Sequence, residues 1–184
     1  MVMVDRPALS DQIKVVTRRA RTGWSARLSV LSVAALVLLS ACSGNSAPDP
    51  TSAGMTIQAT DNINPNVAGT PSPVVVRIYE LKSTSTFDTS EFSQLFYNDQ
   101  ATLGGDMLNR REVEIAPGQT VERTDTLSSE TRYLGFIAGY RDLSNATWRG
   151  KIPIASETSN TVLVTVDALS INSKIVESSW WNIF

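Results

Sequence analysis

The sequence lacks histidine entirely and contains a single cysteine, Cys42, among its 184 residues. Without histidine there is no Ser-His-Asp triad, no histidine-bearing zinc site and no imidazole base that titrates near neutral pH. With one cysteine the chain forms no intramolecular disulfide and no cysteine cluster for a metal. These two absences exclude most hydrolase and metalloenzyme chemistry, and they predict a protein without catalysis and without a bound cofactor.

Charge is sparse as well, at 18% of the residues, and it is unevenly distributed. Residues 1–41 carry six basic and two acidic side chains, which leaves ten basic and sixteen acidic side chains in residues 42–184. A basic N-terminal segment followed by an acidic remainder argues against nucleic-acid binding, because no basic patch exists beyond residue 41. The hydrophobic content of 42% is enough for a folded core.

An apolar run at residues 28–39 follows the basic N-terminal segment. As a helix its twelve residues would be about 18 Å long, against about 30 Å for a bilayer core. A basic flank, a short apolar run and then small residues are the layout of a secretory signal peptide. Residues 1–41 are therefore predicted to be a cleaved leader, although its basic segment is unusually long.

The apolar run ends in Leu39, Ser40, Ala41 and Cys42, which resembles a bacterial lipobox. Cleavage is predicted between Ala41 and Cys42, with a thioether from the thiol to diacylglycerol and a further acyl chain on the new amino group. Several acyl chains make an effectively permanent anchor, whereas one is marginal. Ser43 stands where an inner-membrane retention signal would usually have Asp, so sorting by analogy indicates the outer membrane. The alternatives are a signal anchor with a chance cysteine and a buried helix.

The rest of the chain divides into a linker and one domain. Residues 42–54 are rich in Ser, Gly, Pro and Ala, which predicts a flexible tether. Residues 55–184 are predicted to form an all-β domain, a two-sheet antiparallel β-sandwich with a small helical insert. The predicted strands are residues 55–59, 74–81, 111–115, 120–127, 132–140, 148–154, 161–167 and 170–176. Helical spacing is confined to residues 91–97 and 100–108.

The strand at residues 132–140 has two different faces. Leu134 and Phe136 lie on one face, and Gly135 and Gly139 lie on the other. Because glycine in a strand often marks close approach to the backbone, we expect another element to pack against the glycine face.

Several motifs occur in a fixed order along the chain and together resemble the TssJ family, the outer-membrane lipoproteins of bacterial type VI secretion systems. The similarity covers roughly residues 55–167. The motifs are the lipobox cysteine, Asn64-Pro65, the segment PSPVVVRIYELK at residues 71–82, Phe92, Leu103-Gly104, Pro117-Gly118, the segment AGYRD at residues 138–142, and Trp148-Arg149.

This resemblance implies a transthyretin-like β-sandwich with a structural role. The family tethers the secretion machine to the inner leaflet of the outer membrane by binding the periplasmic C-terminal domain of TssM, an inner-membrane subunit that associates with TssL. The contact is attributed to the loop between the first two strands, which here is residues 61–72. Its members are Asp61, Asn62, Ile63, Asn64, Pro65, Asn66, Val67, Ala68, Gly69, Thr70, Pro71 and Ser72. The prolines restrict the conformations of the unbound loop, which lowers the cost of ordering it on binding. The alternative interpretation is that they only turn the chain.

Other charged residues admit functional and structural interpretations. Arg141 and Arg149 could clamp an anionic ligand, or they could close strand ends by pairing with Asp142 or stacking on Trp148. The acidic pairs Glu112/Glu114 and Asp88/Glu91 are interpreted as solvent-facing charges rather than acid/base dyads.

A rival hypothesis is a periplasmic lipoprotein whose sandwich binds a small ligand or glycan. It requires a concave pocket lined by aromatic side chains. The candidates are Tyr133, Tyr140, Trp148, Trp180 and Trp181. The Trp-rich segment at residues 176–184 has no counterpart in the resemblance, and it is interpreted either as a core-capping strand or as an exposed contact patch.

Overall fold

The structure is a computed structural model that describes residues 48–176. These residues form eight strands and three short α-helices, and no helix among them is long and apolar enough to cross a membrane. The strands are β1 (Ser52–Ala59), β2 (Val74–Leu81), β3 (Met107–Ile115), β4 (Thr120–Thr126), β5 (Tyr133–Ala138), β6 (Arg149–Pro153), β7 (Ser159–Val166) and β8 (Ile171–Ile175). The helices are α1 (Ser85–Thr89), α2 (Phe92–Tyr97) and α3 (Asp99–Leu103).

The strands form two four-stranded sheets, with orders β4-β1-β7-β8 and β3-β2-β5-β6. All eight predicted strands are present, and the two-sheet sandwich is confirmed. The first sheet is mixed rather than purely antiparallel, because β1 and β7 pair in parallel from Ser52 opposite Ser159 to Ala59 opposite Val166. A parallel pair needs a long crossover, and here the whole second sheet lies between these strands in the chain.

The core lies between the two sheets and follows from alternation along the strands. In β7, Val162, Val164 and Val166 are buried, and in β1 the inward residues are Ala53, Met55 and Ile57. In β3 the predicted faces are confirmed, since Ile115 is buried while Glu112 and Glu114 are exposed.

The first strand begins earlier than predicted. The small residues 52–54 have the composition of a tether, yet Ala53 is fully buried and Thr51 is 4% exposed. The Thr51 hydroxyl accepts a hydrogen bond from the Glu157 N–H at 2.9 Å, and Asn160 Nδ2 donates to the Ser52 carbonyl at 3.1 Å. Small residues therefore fit a closely packed strand as well as a linker. The tether boundary at residue 54 is wrong by three residues at least.

The helical insert lies between β2 and β3 and is longer than predicted. Helix α1 has no predicted counterpart, and α2 is capped by Glu91, whose N–H donates to the Gln94 side chain at 2.9 Å. The predicted helix at residues 100–108 ends at Leu103, where Gly104 with φ +51° begins a 3-10 turn, and β3 follows from Met107.

The insert packs on the outer face of β5, as the glycine pattern predicted. A Cβ at Gly135 would lie 2.8 Å from Phe87 in α1, and one at Gly139 would lie 3.3 Å from Phe96 in α2. Tyr79 is also buried there, and its hydroxyl donates to the Leu95 carbonyl at 2.8 Å. Burial raises the pKa of Tyr79 to about 12, so the hydroxyl remains a donor at physiological pH.

Replacing Gly135 with alanine should destabilise the protein by about 1–3 kcal/mol, because the new methyl group overpacks the Phe87 ring and Leu81, 3.0 Å away. The matched control is Gly105→Ala, whose Cβ would meet no atom within 4 Å. Both changes restrict the unfolded chain equally, so their difference isolates the clash. Denaturant unfolding of the two variants measures it, and equal midpoints would contradict the close packing.

Candidate partner-binding site

The candidate site is the loop between β1 and β2, residues 61–72, which folds against one end of the sandwich. Ile63 is fully buried and belongs to the central core. The Ser72 N–H donates to the Ile63 carbonyl at 3.1 Å, which closes the base of the loop. The loop therefore starts and ends on fixed points of the domain.

Asn64 is the centre of the loop's hydrogen bonding. It is 3% exposed and has a left-handed backbone with φ +48°, a region that asparagine tolerates better than most residues. Its N–H donates to the Ala168 carbonyl at 2.9 Å, and its Nδ2 donates to the Pro73 carbonyl at 2.8 Å. Its Oδ1 accepts from the Arg141 N–H at 2.8 Å. Through its backbone and its side chain together, this one residue joins the β1–β2, β5–β6 and β7–β8 connections.

The tip of the loop is held by Asn66. The Asn66 side-chain oxygen accepts from the N–H groups of Ala68 and Thr70, each at 2.9 Å. The Asn66 N–H donates to the Thr70 carbonyl, and Gly69, with φ +79°, donates back to the Asn66 carbonyl. These bonds form a tight turn that presents Val67, whose side chain is fully exposed. The loop is an ordered protrusion with an apolar tip.

A cleft of about 550 Å³ lies beside the tip. Tyr140 precedes Arg141, which lines the cleft, and the Tyr140 hydroxyl donates to the Asp167 carbonyl at 3.1 Å. Burial, with a smaller contribution from the Asp167 charge, raises the pKa of Tyr140 above its usual value and keeps this donor protonated. The cleft is lined by Pro65, Asn66, Val67, Arg141, Asp142 and Leu169.

The sequence located only part of this site. Residues 65–67 belong to the predicted loop, whereas Leu169 was not predicted to take part. Leu169 lies in the turn between β7 and β8, where the Asp167 N–H donates to the Ser170 carbonyl. The position of this turn between two strands was the one feature of the sequence that could have pointed to Leu169. Only the fold brings that turn next to residues 65–67.

The two arginines have different roles. Arg149 stacks on Trp148 with its guanidinium carbon 4.7 Å from the ring centroid, and it donates to the Phe87 and Ser90 carbonyls at 2.6 and 2.9 Å. The structural interpretation of Arg149 is thereby confirmed. Asp142 bonds instead to Asn145, at 2.8 Å between side chains, and no ion pair within residues 48–176 includes Asp142 or Arg141.

One member of each acidic pair forms a salt bridge with a basic side chain. Glu112 pairs with Arg77 at 2.8 Å, and Asp88 pairs with Lys151. Within the described residues, no group of three or more acidic side chains is arranged to hold a metal ion.

The two aromatic side chains Trp148 and Tyr140, which were candidates for a ligand pocket, do not line the same cleft. Trp148 lines an open cleft of about 380 Å³ with Phe92 and Tyr97, while Tyr140 is buried and its hydroxyl contacts the Asp167 carbonyl. Ala41, Cys42, Trp180 and Trp181 lie outside the described residues.

This two-sheet arrangement, with a helical insert after its second strand and an ordered loop after its first, defines the domain as a β-sandwich. The chain belongs to the type VI secretion lipoprotein family, whose model is described as "Type VI secretion lipoprotein, VasD, EvfM, TssJ, VC_A0113" and matches residues 51–169. The predicted TssJ resemblance is confirmed. No significant match is found among the curated proteins.

Solved structures agree with this assignment. The chain is similar to the T6SS lipoprotein TssJ1 from Pseudomonas aeruginosa, with 35% identity over 70% of this chain and 98% of that one, and a TM-score of 0.68. Serratia marcescens Lip, a membrane-bound component of the Type VI Secretion System, shares the fold at 22% identity over 70% and 98% of the chains, with a TM-score of 0.63. A chain in the structure of the T6SS protein TssM C-terminal domain (869-1107) from EAEC matches at 26% identity over 69% and 98%, with a TM-score of 0.54.

Proposed function

We propose that this lipoprotein anchors a type VI secretion membrane complex to the outer membrane by binding the periplasmic C-terminal domain of TssM. Membership of the family supports this role, and so does the occurrence of a similar chain in a structure of the TssM C-terminal domain. In this proposal the protein is a tether without catalytic activity, and TssL joins the complex through TssM.

The observation that carries the proposal is the ordered loop with Val67 exposed at its tip. Its base is held by Ile63 and Asn64, and its tip is held by Asn66. A loop that is already ordered loses little conformational entropy on binding, which leaves more of the contact energy for affinity. An exposed apolar side chain such as Val67 gains free energy when a partner removes it from water, so it can contribute to an interface.

Lipid attachment at Cys42 completes the proposed mechanism. Acyl chains on this residue would insert into the periplasmic leaflet. They would hold the domain beside it through about nine residues that precede Thr51. Confinement near the membrane raises the effective concentration of the domain for a partner that spans the periplasm. The anchor and the loop would then connect lipid to the secretion machine in one chain.

Changing Val67 to aspartate should lower the affinity for the TssM periplasmic domain by roughly tenfold or more, because a charge replaces the apolar tip in a desolvated contact. The measurement is calorimetric titration of the chain from residue 42, carrying Cys42→Ser so that no lipid is attached. Replacing the exposed tip of the loop, residues 66–70, with a Gly/Ser linker should abolish binding while the buried Ile63 and Asn64 stay in place.

The matched control is Tyr97→Ser in α2. Tyr97 is another exposed apolar side chain, at 73% exposure, and it belongs to the helical insert rather than to the loop. Its replacement should leave the affinity unchanged. Undiminished binding after the loop replacement would disprove the assignment of the loop.

A further inference from the structure

The cleft beside the loop tip contains two charged side chains among apolar ones. Pro65, Val67 and Leu169 provide apolar surface, and Arg141 and Asp142 provide the charges. Both charged residues are exposed, and neither of them forms an ion pair with another described residue. The cleft therefore offers a cation and an anion, side by side, to whatever enters it.

Arg141 differs from the other arginines of the domain. Residues 48–176 contain seven arginines, and the guanidinium groups of six of them donate hydrogen bonds to carboxylates or backbone carbonyls. These six are Arg77, Arg110, Arg111, Arg123, Arg132 and Arg149. Arg141 bonds to the described residues through its backbone N–H, and its guanidinium, which carries five N–H donors, has no partner among them.

The carboxylate that lines the cleft does not neutralise Arg141. Asp142 accepts instead from Asn145, at 2.8 Å from the side-chain nitrogen and at 3.3 Å from the backbone N–H. These bonds close a turn within the β5–β6 connection. Asp142 is thus already engaged in shaping this connection, while the neighbouring cation is available for an external partner.

The backbone that carries Arg141 is held in place. Its N–H donates to the Asn64 side chain at 2.8 Å, and the preceding residue, Tyr140, is buried. The base of the side chain is therefore positioned before a partner arrives, which lowers the ordering cost of a contact there. The guanidinium is planar, and its paired N–H groups match a carboxylate with two parallel hydrogen bonds.

We propose that Arg141 binds a carboxylate of the protein partner, and that this contact determines which segment of the partner the cleft accepts. The segment that fits has an Asp or Glu side chain next to an apolar one. The carboxylate meets Arg141, and the apolar group meets Val67 and Leu169. This inference rests on the proposed function in taking the cleft as part of the partner-binding surface, and it adds the chemistry of the partner.

The apolar lining of the cleft strengthens such a pair. Exposed ion pairs contribute little, because water and salt screen them. A partner seated on Pro65, Val67 and Leu169 displaces water from the cleft, which lowers the local dielectric constant and strengthens the attraction between opposite charges. Asp142 adds selectivity, because its charge repels a carboxylate that is not placed against Arg141.

The first test is a calorimetric titration of the TssM periplasmic domain with the chain from residue 42, carrying Cys42→Ser, at several salt concentrations. Arg141→Gln should lower the affinity roughly tenfold or more, and Arg141→Glu should lower it further, because two like charges then meet. The affinity of the parent should fall as salt is raised, and that of Arg141→Gln should fall less steeply. Thermal unfolding should be unchanged, since the guanidinium makes no hydrogen bond to the described residues.

Asp142→Asn is the matched control, because it neutralises the other charge of the cleft while its amide oxygen can still accept from Asn145. This variant should bind at least as tightly as the parent, since a repulsion of the partner carboxylate has been removed. Weaker binding of Asp142→Asn combined with unchanged binding of Arg141→Gln would mean that the partner presents a cation, which overturns the proposal.

A second test identifies the carboxylate by chemistry. A water-soluble carbodiimide joins a lysine amine to a carboxylate in contact with it, forming an amide with loss of water. The described residues contain lysine only at Lys82, Lys151 and Lys174, and none of these lines the cleft. Arg141→Lys mixed with the TssM domain and the carbodiimide should therefore give a cross-link between residue 141 and an Asp or Glu of the partner, detected by mass spectrometry. Arg141→Gln should give none at this position.

Failure of this inference is distinguishable from failure of the proposed function. If the parent does not bind the TssM domain, the proposed function is wrong and this inference is wrong with it. If the parent binds and Arg141→Gln binds equally tightly with the same dependence on salt, only this inference is wrong. The same holds if Arg141→Lys forms the complex without a cross-link at residue 141.

Discussion

Replacing Cys42 with serine is expected to remove the protein from the washed outer-membrane fraction almost completely. Each buried methylene of an acyl chain contributes about 0.8 kcal/mol, so several chains hold the protein effectively permanently. A serine hydroxyl does not form the thioether. The variant should therefore accumulate as a precursor that retains residues 1–41 and incorporates no palmitate label. Membrane fractionation with carbonate washing and metabolic labelling measure both effects.

The neighbouring change Ser43→Ala is the matched control, because it leaves the lipobox intact. It should be processed, labelled and retained in the outer membrane. Ser43→Asp should instead shift the processed protein to the inner membrane if sorting follows the residue after the cysteine. A Cys42→Ser protein that stays in the washed outer membrane and still supports assembly would refute the anchor.

The change Asn64→Asp is expected to loosen the binding loop and to destabilise the protein by about 2–3 kcal/mol at neutral pH. One amide nitrogen becomes a carboxylate oxygen, which faces the Pro73 carbonyl at the 2.8 Å now spanned by a hydrogen bond. The site is 3% exposed, so water cannot solvate the new charge. Affinity for the TssM domain should fall roughly tenfold or more, because the loop must then be ordered during binding.

The pH dependence of this variant has a definite sign. Burial beside a carbonyl raises the folded-state pKa of the new carboxyl above its unfolded value of about 3.9. The penalty is therefore smallest below about pH 4, where the protonated group can donate to Pro73, and it grows as the pH rises through the folded-state pKa. Unfolding free energies across this range measure the effect.

Asn62→Asp is the control, because it makes the same chemical change on an exposed residue of the same loop. Its effect should stay within about 0.5 kcal/mol. If the two variants unfold at the same denaturant concentration and bind equally well, Asn64 does not organise the loop.

Local patterns were sufficient for the strands. Alternation predicted the strand at residues 161–167, which forms β7, and Gly135 and Gly139 predicted that another element packs against their face of the strand at residues 132–140. These predictions succeeded because a residue's face in a strand depends on its immediate neighbours alone.

The predictions failed where the local composition was compatible with two different structures. Ser52, Ala53 and Gly54 have the composition of a linker, yet they form a strand because Asn160 and the β4 and β7 backbones provide partners for them. Helix α1 was missed because its five residues, Ser85–Thr89, are stabilised mainly by burying Phe87 against β5. A helix this short has little stability of its own.

The loop at residues 61–72 was located by its position in the chain, but its rigidity was not predicted. The sequence showed an Asn-Pro pair and predicted a restricted loop, but it did not indicate that Asn64 contacts Arg141 and Ala168. Those contacts join residues that are far apart in sequence, and they exist only because three connections meet at one end of the sandwich.

By itself, the sequence predicted the lipobox at Cys42, and it determined the absence of histidine chemistry, the faces of the strands and the family. Each of these depends on residue type or short spacing, which an unfolded chain already has. The tertiary structure alone decided the parallel pairing of β1 with β7 and the cleft beside Val67. Alternation specifies which side of a strand is buried, but the choice of partner strand depends on packing summed over the whole domain.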